Sequence, residues 1–179
     1  MTDRCRIGFA LGTLAAALVA GCGGGGDGSS STTAGIDRGG ITIAQGPISG
    51  FGSVIVNGVH YSTSGATITI DDQPGTESDL KAGQVVRIEA TLDASGTTGV
   101  AKKIVFDDDV EGPLQTIERA TSRLVVLGQT LQVSAATSFG DSIVPRGIDG
   151  LRIGDRLEVS GLASAGGVIA ATRIERKSV

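Results

Sequence analysis

The sequence predicts an all-β fold: two tandem small β-barrels, preceded by a leader and a flexible linker. Three observations predict it. From Gly46 to residue 177 the chain repeats itself at a spacing near seventy residues. Within each copy, apolar and polar residues alternate with period two, the signature of half-buried strands. Turn signals punctuate these runs, and no sustained helical periodicity follows the leader. An open sandwich shared by the two copies is the alternative arrangement. Closure into barrels is preferred because it removes exposed strand edges.

The leader occupies residues 1–21. Arg4 and Arg6 form a short positive segment, diluted by Asp3, and Ile7 to Ala20 then runs fourteen residues without a charge. That run suits the apolar core of a secretory signal and is too short for a bilayer-spanning helix. It ends in Leu18-Val19-Ala20-Gly21-Cys22, which resembles the lipobox of bacterial lipoproteins. The residue types fit that chemistry: a thiol forms the thioether to diacylglycerol, and small residues let a membrane peptidase reach the Gly21–Cys22 bond. The resemblance implies acylation at Cys22, anchoring to a lipid bilayer, and residence in the cell envelope. Gly23 stands where inner-membrane lipoproteins typically carry Asp, which implies the outer membrane.

Residues 22–45 are read as the lipidated cysteine and a linker. Gly23 to Thr33 is almost wholly Gly, Ser and Thr with one Asp, and such a stretch cannot bury apolar surface. Taken to Gly40 the stretch has eighteen residues and a reach of roughly 20–25 Å, enough to hold a domain clear of lipid headgroups. Ile41 to Ala44 is expected to add a short strand to the folded region.

The first barrel is expected over 46–110 and the second over 111–177. Gly46-Pro47-Ile48 matches Gly112-Pro113-Leu114, and Val54-Ile55-Val56-Asn57-Gly58 matches Leu124-Val125-Val126-Leu127-Gly128. Ala66-Thr67 is paired with Ala136-Thr137. Leu80 to Ile88 matches Leu151 to Val159, and Ala101-Lys102-Lys103-Ile104 matches Ala171-Thr172-Arg173-Ile174. Asn57-Gly58 is a tight-hairpin signal, since both turn residues must take positive φ. Gly83 and Gly154 close a turn that leads into a long strand. In that strand Val86, Ile88, Ala90 and Leu92 alternate with polar neighbours, as Leu157, Val159 and Gly161 alternate with Glu158 and Ser160. Ala94-Ser95-Gly96 and Ala165-Gly166-Gly167 are the later hairpins. Five or six short strands in so few residues fit a barrel like the oligonucleotide/oligosaccharide-binding fold.

The Gly-x-(Ile/Leu) opening, the Val-x-Gly hairpin, the Leu-(Lys/Arg)-x-Gly-(Asp/Gln) turn and the closing Ala-x-x-Ile resemble a bacterial family classed as domain of unknown function 5666. Its members are often lipoproteins carrying the module in tandem, and the likeness covers about residues 46–176. These motifs are turns and core positions, so the resemblance transfers no catalytic residue. Leu127 departs from the pattern by replacing the hairpin Asn.

Composition narrows the chemistry. Without the leader, 13 Lys+Arg stand against 18 Asp+Glu, and this acidic balance argues against nucleic acid as a partner. Aromatics are 3% with no Trp, so stacking platforms are scarce. Once Cys22 is acylated no free thiol remains, and no internal disulfide can form. His60 is the one histidine, and its counterpart in the second copy is Thr130. Leu162 to Gly166 lacks the first Gly of a nucleophile elbow and is read as a hairpin turn. Asp107-Asp108-Asp109 with Glu111 could gather oxygen ligands for calcium, but adjacent side chains on an extended chain diverge. The run is read as a solvated connector balanced by Lys102 and Lys103. No catalytic residue, metal site or cofactor is therefore assigned. The function expected is a non-catalytic envelope module for structure or interaction. The alternatives are a binding module for an oligosaccharide or small molecule and, behind it, a hydrolase.

Overall fold

The computed structural model describes residues 40–178. The leader expected over residues 1–21, Cys22 and the linker expected after it, up to residue 39, lie outside the described residues. The first repeat holds β1 (Ile41–Gly50), β2 (Val54–Val56), β3 (Val59–Ser62), β4 (Thr67–Ile70), β5 (Gln73–Gly75), β6 (Val85–Leu92) and β7 (Thr98–Phe106). The second holds β8 (Val110–Glu118), β9 (Arg123–Val126), β10 (Gln129–Gln132), β11 (Ser138–Phe139), β12 (Arg156–Ala163) and β13 (Ile169–Arg176). Among the described residues the only helices are three-residue 3-10 turns.

Each repeat closes into a five-stranded barrel. In the first the ring runs β1-β2-β3-β7-β6 and back to β1, and in the second β8-β9-β10-β13-β12 and back to β8. All neighbours are antiparallel except the closing pair, β3 with β7 and β10 with β13, which is parallel. This is the strand order of an oligonucleotide/oligosaccharide-binding barrel, and it excludes a shared open sandwich. Strands β4 and β11 lengthen the closing seam by pairing in parallel with the far ends of β7 and β13.

The first barrel begins earlier than the boundary at Gly46. Ile41 to Gln45 belong to β1, paired with β6 from Ile41↔Thr91 to Gln45↔Arg87, and only residues up to Gly40 can act as linker. The connector is correspondingly short, Asp107 to Asp109. The match of Ala66 with Ala136 is also one residue out. Thr67 pairs with Lys103 while Ser138 pairs with Arg173, so Thr67 corresponds to Ser138 and Ala66 to Thr137.

Each barrel fills its own core. Ile48, Val54, Val56, Tyr61, Leu80, Val86, Ile88 and Ile104 fill the first; Leu114, Leu124, Val126, Leu131, Leu151, Leu157, Val159 and Ile174 hold the matching places in the second. The Ala-x-x-Ile motif is a β-bulge. The register of β6 with β7 shifts between Glu89↔Lys103 and Ala90↔Ala101, and that of β12 with β13 shifts between Ser160↔Arg173 and Gly161↔Ala171. The extra residue, Lys102 or Thr172, lets both Ala and Ile face inward at a spacing of three, and it adds the bend that closure requires.

The glycine turn before the long strand clasps the first strand. Ile48 N–H donates to Gln84 O (2.9 Å) and Gly83 N–H to Ile48 O (2.8 Å); Leu114 and Gly154 make the same exchange with Asp155 and Leu114. The side chain after the glycine caps the turn, Gln84 Oε1 accepting from Lys81 N–H and Asp155 Oδ2 from Arg152 N–H. Gly83 and Gly154 have φ of 88° and 93°, which an L side chain adopts only with strain.

The hairpin departure at Leu127 has a structural cost. Asn57 (φ 53°) lies over Gly46 and donates from Nδ2 to Gln45 O at 3.0 Å. Leu127 (φ 46°) covers Gly112 in the same way but is 55% exposed and has no side-chain donor. Left-handed backbone costs most L residues about 1–2 kcal/mol and Asn less. Leu127→Asn is therefore expected to stabilise the chain by about 0.5–1 kcal/mol, and Asn57→Leu to destabilise it by a similar amount. Urea unfolding midpoints with unchanged m-values check both.

Candidate functional site

The closing seam of the first barrel builds a cleft. In β3 the core takes Tyr61, which leaves His60 and Ser62 on the outer face. Parallel pairing sets His60 beside Thr98 and Ser62 beside Val100, and β6 adds Thr91 opposite Val100. Ser53 from the β1–β2 turn and Asp93 from the β6–β7 hairpin complete the rim around a mainly apolar floor of Leu92, Gly99 and Val100. The cleft holds about 510 Å³. In oligonucleotide/oligosaccharide-binding barrels ligands use this same region, strands 2 and 3 with the loops beside them.

Its polar groups are arranged for contact. Ser53 Oγ lies 3.2 Å from His60 Nδ1, both at the surface. Asp93 serves its own hairpin: it accepts from Ser95 Oγ (2.7 Å), Thr98 Oγ1 (2.8 Å) and Gly96 N–H (2.9 Å). The Ser95 and Thr98 hydroxyls pull its carboxyl down to about 2. A nucleophile–base pair needs a third group to orient the base, and Asp93 makes no hydrogen bond to His60. The arrangement can bind hydroxyl groups over an apolar floor. Sequence reasoning singled out His60 alone; Ser53, Asp93 and Thr98 carry no local signal, because the topology brings the β1–β2 turn and the β6–β7 hairpin to it.

The second barrel does not repeat this rim. Thr130 stands at the position of His60, pairing with Val125 as His60 pairs with Ile55. Ser164 stands where Asp93 does and closes its hairpin by donating from Oγ to Val168 O at 2.6 Å. The Leu162–Gly166 stretch is thus a hairpin end.

The acidic run is a solvated connector, with Asp107 and Asp109 exposed and Asp108 half-buried, and it is also hydrogen-bonded to the second barrel. Asp109 N–H donates to Val159 O (3.0 Å), and its Oδ2 accepts from Gly161 N–H (2.7 Å), so the run is stitched to β12. Asp108 lies near Asp71 and Glu111; burial first, then these two carboxylates, raise its pKa. Burial raises Asp109 and Glu158 as well. Glu158 is 5% exposed and forms an ion pair with Lys177, whose own pKa the carboxylate raises. Among the described residues no group of three or more His, Cys, Asp or Glu side chains is placed to hold a metal ion. Asp109 Oδ2 is taken by Gly161 N–H, and the three aspartates border one cleft on the outer face of β6 and β7 beside Arg87 and Lys103.

Both repeats match one family model, described as a domain of unknown function (DUF5666), over residues 42–105 and 111–175. The chain belongs to the DUF5666 family. Each DUF5666 match spans one barrel, from inside its first strand to near the end of its last. The module is therefore the closed barrel itself, with its bulge and glycine clasp. No curated protein matches the chain.

The charged junction sets a pH dependence. A carboxyl whose folded pKa is raised withdraws stability once it ionises, so that loss appears as pH rises and is recovered as pH falls through the raised value. Lys177 has the same sign at higher pH: its pKa is also raised, so its contribution is present below its unfolded value and lost only at strongly alkaline pH. Lys177→Met leaves Glu158 without its cation. The variant is expected to lose about 1–2 kcal/mol at pH 8, less than for a fully buried pair because Lys177 is partly open. The deficit should shrink as pH falls towards 4, where Glu158 is neutral in both proteins. Thermal unfolding of both across pH 4–8 checks this.

Proposed function

We propose that this DUF5666 chain is a non-catalytic, lipid-anchored lipoprotein of the bacterial cell envelope whose barrels bind a partner and transform no substrate. The cleft beside His60 carries the binding reading. It pairs an apolar floor with hydroxyl and imidazole groups on its rim, the make-up of a recognition surface. Its one carboxylate, Asp93, is used up in its own hairpin. A neutral ligand rich in hydroxyl groups, an oligosaccharide or a small molecule, suits that rim better than a nucleic acid does, given the acidic balance of the chain.

The anchor reading rests on the sequence. A charged start, an uncharged run, small residues and Cys22 fall in order, and a Gly/Ser-rich stretch comes next. Acylated Cys22 would then hold the barrels to the bilayer, with Gly23 favouring the outer membrane.

One experiment addresses both halves. Cells producing the full chain, Cys22→Ser or His60→Ala are fractionated, and the solubilised proteins are passed over immobilised envelope glycans. Cys22→Ser should leave the membrane pellet and keep glycan retention. His60→Ala should stay in the outer-membrane fraction and lose at least about 1 kcal/mol of binding, a fivefold weaker retention. Cys22→Ser staying in the pellet with its leader processed as before would refute the anchor. Equal retention of His60→Ala would refute the cleft.

A further inference from the structure

The two barrels meet through a contact of which each repeat carries both halves, and only one copy of each half is in use. The donor half is the glycine turn. Ala82 and Gly83 of the first barrel press on the second: Arg173 Nη1 donates to Ala82 O at 2.8 Å, and a Cβ on Gly83 would meet Thr172 O at 2.6 Å and Ser138 at 3.1 Å. The acceptor half is the outer face of β12 and β13. It is covered so well that all of Leu157 to Gly161 is buried, including the outward Glu158 (5% exposed) and Ser160 (3%).

The unused halves are exposed at opposite repeats. In the second barrel the equivalent turn holds Ile153, 69% exposed, and Gly154, which has open space where Gly83 has the neighbouring barrel. In the first barrel the equivalent face is open: Arg87 stands where Glu158 does and is exposed, and Glu89 stands where Ser160 does and is half-buried. A cleft of about 380 Å³ lies there, between Arg87, Glu89, Lys103 and Val105 of the sheet and the connector Asp107 to Asp109, with Val85 buried at its base. Lys103 occupies the place of Arg173, paired with Thr67 as Arg173 is paired with Ser138. The cation that grips a turn carbonyl is therefore present on both faces. Exposed apolar side chains mark the same places, Ile41 and Ile43 on β1 beside the open face and Ile153 on the free turn.

We propose that a second copy of this chain docks there head to tail: the Ile153–Gly154 turn of one copy seats on the β6–β7 face of the next, with Lys103 donating to the Ile153 carbonyl. The occupant is a second copy because the contact continues an interface that already exists within the chain, using positions related by the repeat. A heterologous contact of this kind leaves one free turn and one free face at the ends, so it propagates into chains or closes into a ring. It involves neither Cys22 nor the His60 cleft, so it stands or falls independently of the proposed function.

The test is cysteine cross-linking in isolated envelopes from cells producing the full chain, treated with a short bismaleimide. Lys103→Cys/Ile153→Cys in one chain should give dimers and a ladder of larger species. Lys103→Cys and Ile153→Cys on separately tagged, co-expressed chains should give dimers containing one of each tag and no ladder. Ala82→Cys/Arg173→Cys, whose thiols meet within one chain, should close internally and report that the reagent works. Monomer alone in the double variant while this control closes would overturn the proposal. So would dimers of the Ile153→Cys chain with itself, which indicate a symmetric contact, or capture of a different protein at Lys103→Cys without self-linked species.

Discussion

Closure of each sheet by a single parallel pair of strands is the constraint on which the rest of the structure depends. β3 meets β7 over His60↔Thr98, Tyr61↔Gly99 and Ser62↔Val100, and β10 meets β13 over Leu131↔Ile169 and Gln132↔Ala170. These few residues convert a five-stranded sheet with two open edges into a closed ring. At Gly99 the last strand is closely flanked on both sides: a Cβ there would meet Tyr61 of β3 at 3.4 Å and Leu92 of β6 at 2.9 Å. Everything placed on the first barrel's cleft, from His60 to Val100, is placed by that seam.

Two devices make closure possible, and both recur in the second copy. The bulge at Lys102 and Thr172 bends the last strand, and the glycine clasp at Gly83 and Gly154 fixes where the long strand starts against the first. Where the copies differ, the differences sit at barrel ends and on outer faces. Phe106 is buried in the first core, whereas Arg176 in its place donates to Ser142 O, Gly150 O and Asp155 and ties down the loop before β12. His60 becomes Thr130 and Asp93 becomes Ser164. The duplicated module thus preserves its closure machinery and varies its surfaces.

Sequence periodicity makes the repeat, the hairpins and the core strands legible because each is a local pattern. The Asn57-Gly58 turn and the inward Val86, Ile88 and Ala90 need nothing beyond neighbouring residues. Longer-range facts leave no local trace. Period two in Leu157 to Gly161 predicts one wet face, yet Glu158 and Ser160 are dry because another barrel covers them. The acidic run reads as solvated, since nothing in Asp107-Asp108-Asp109 announces that Asp109 will accept from Gly161 N–H, fifty-two residues away. A short strand over Ile41 to Ala44 is legible in the sequence, but its continuity with Gly46 to Gly50 as a single β1 is not, because the partner that fixes it, Arg87 to Thr91 of β6, is distant along the chain. The cleft at His60 is invisible for the same reason: Ser53, His60, Asp93 and Thr98 meet only through the seam.

Inter-strand nuclear Overhauser contacts across the closing seam test the account most directly. It predicts contacts from Tyr61 and Ser62 to Gly99 and Val100, and from Leu131 and Gln132 to Ile169 and Ala170, together with slowed amide exchange along both seams. Contacts within β6–β7 and β12–β13 but none across the seams, with fast exchange there, would mean open sheets and would contradict the barrel on which the cleft and the inter-barrel contact are built.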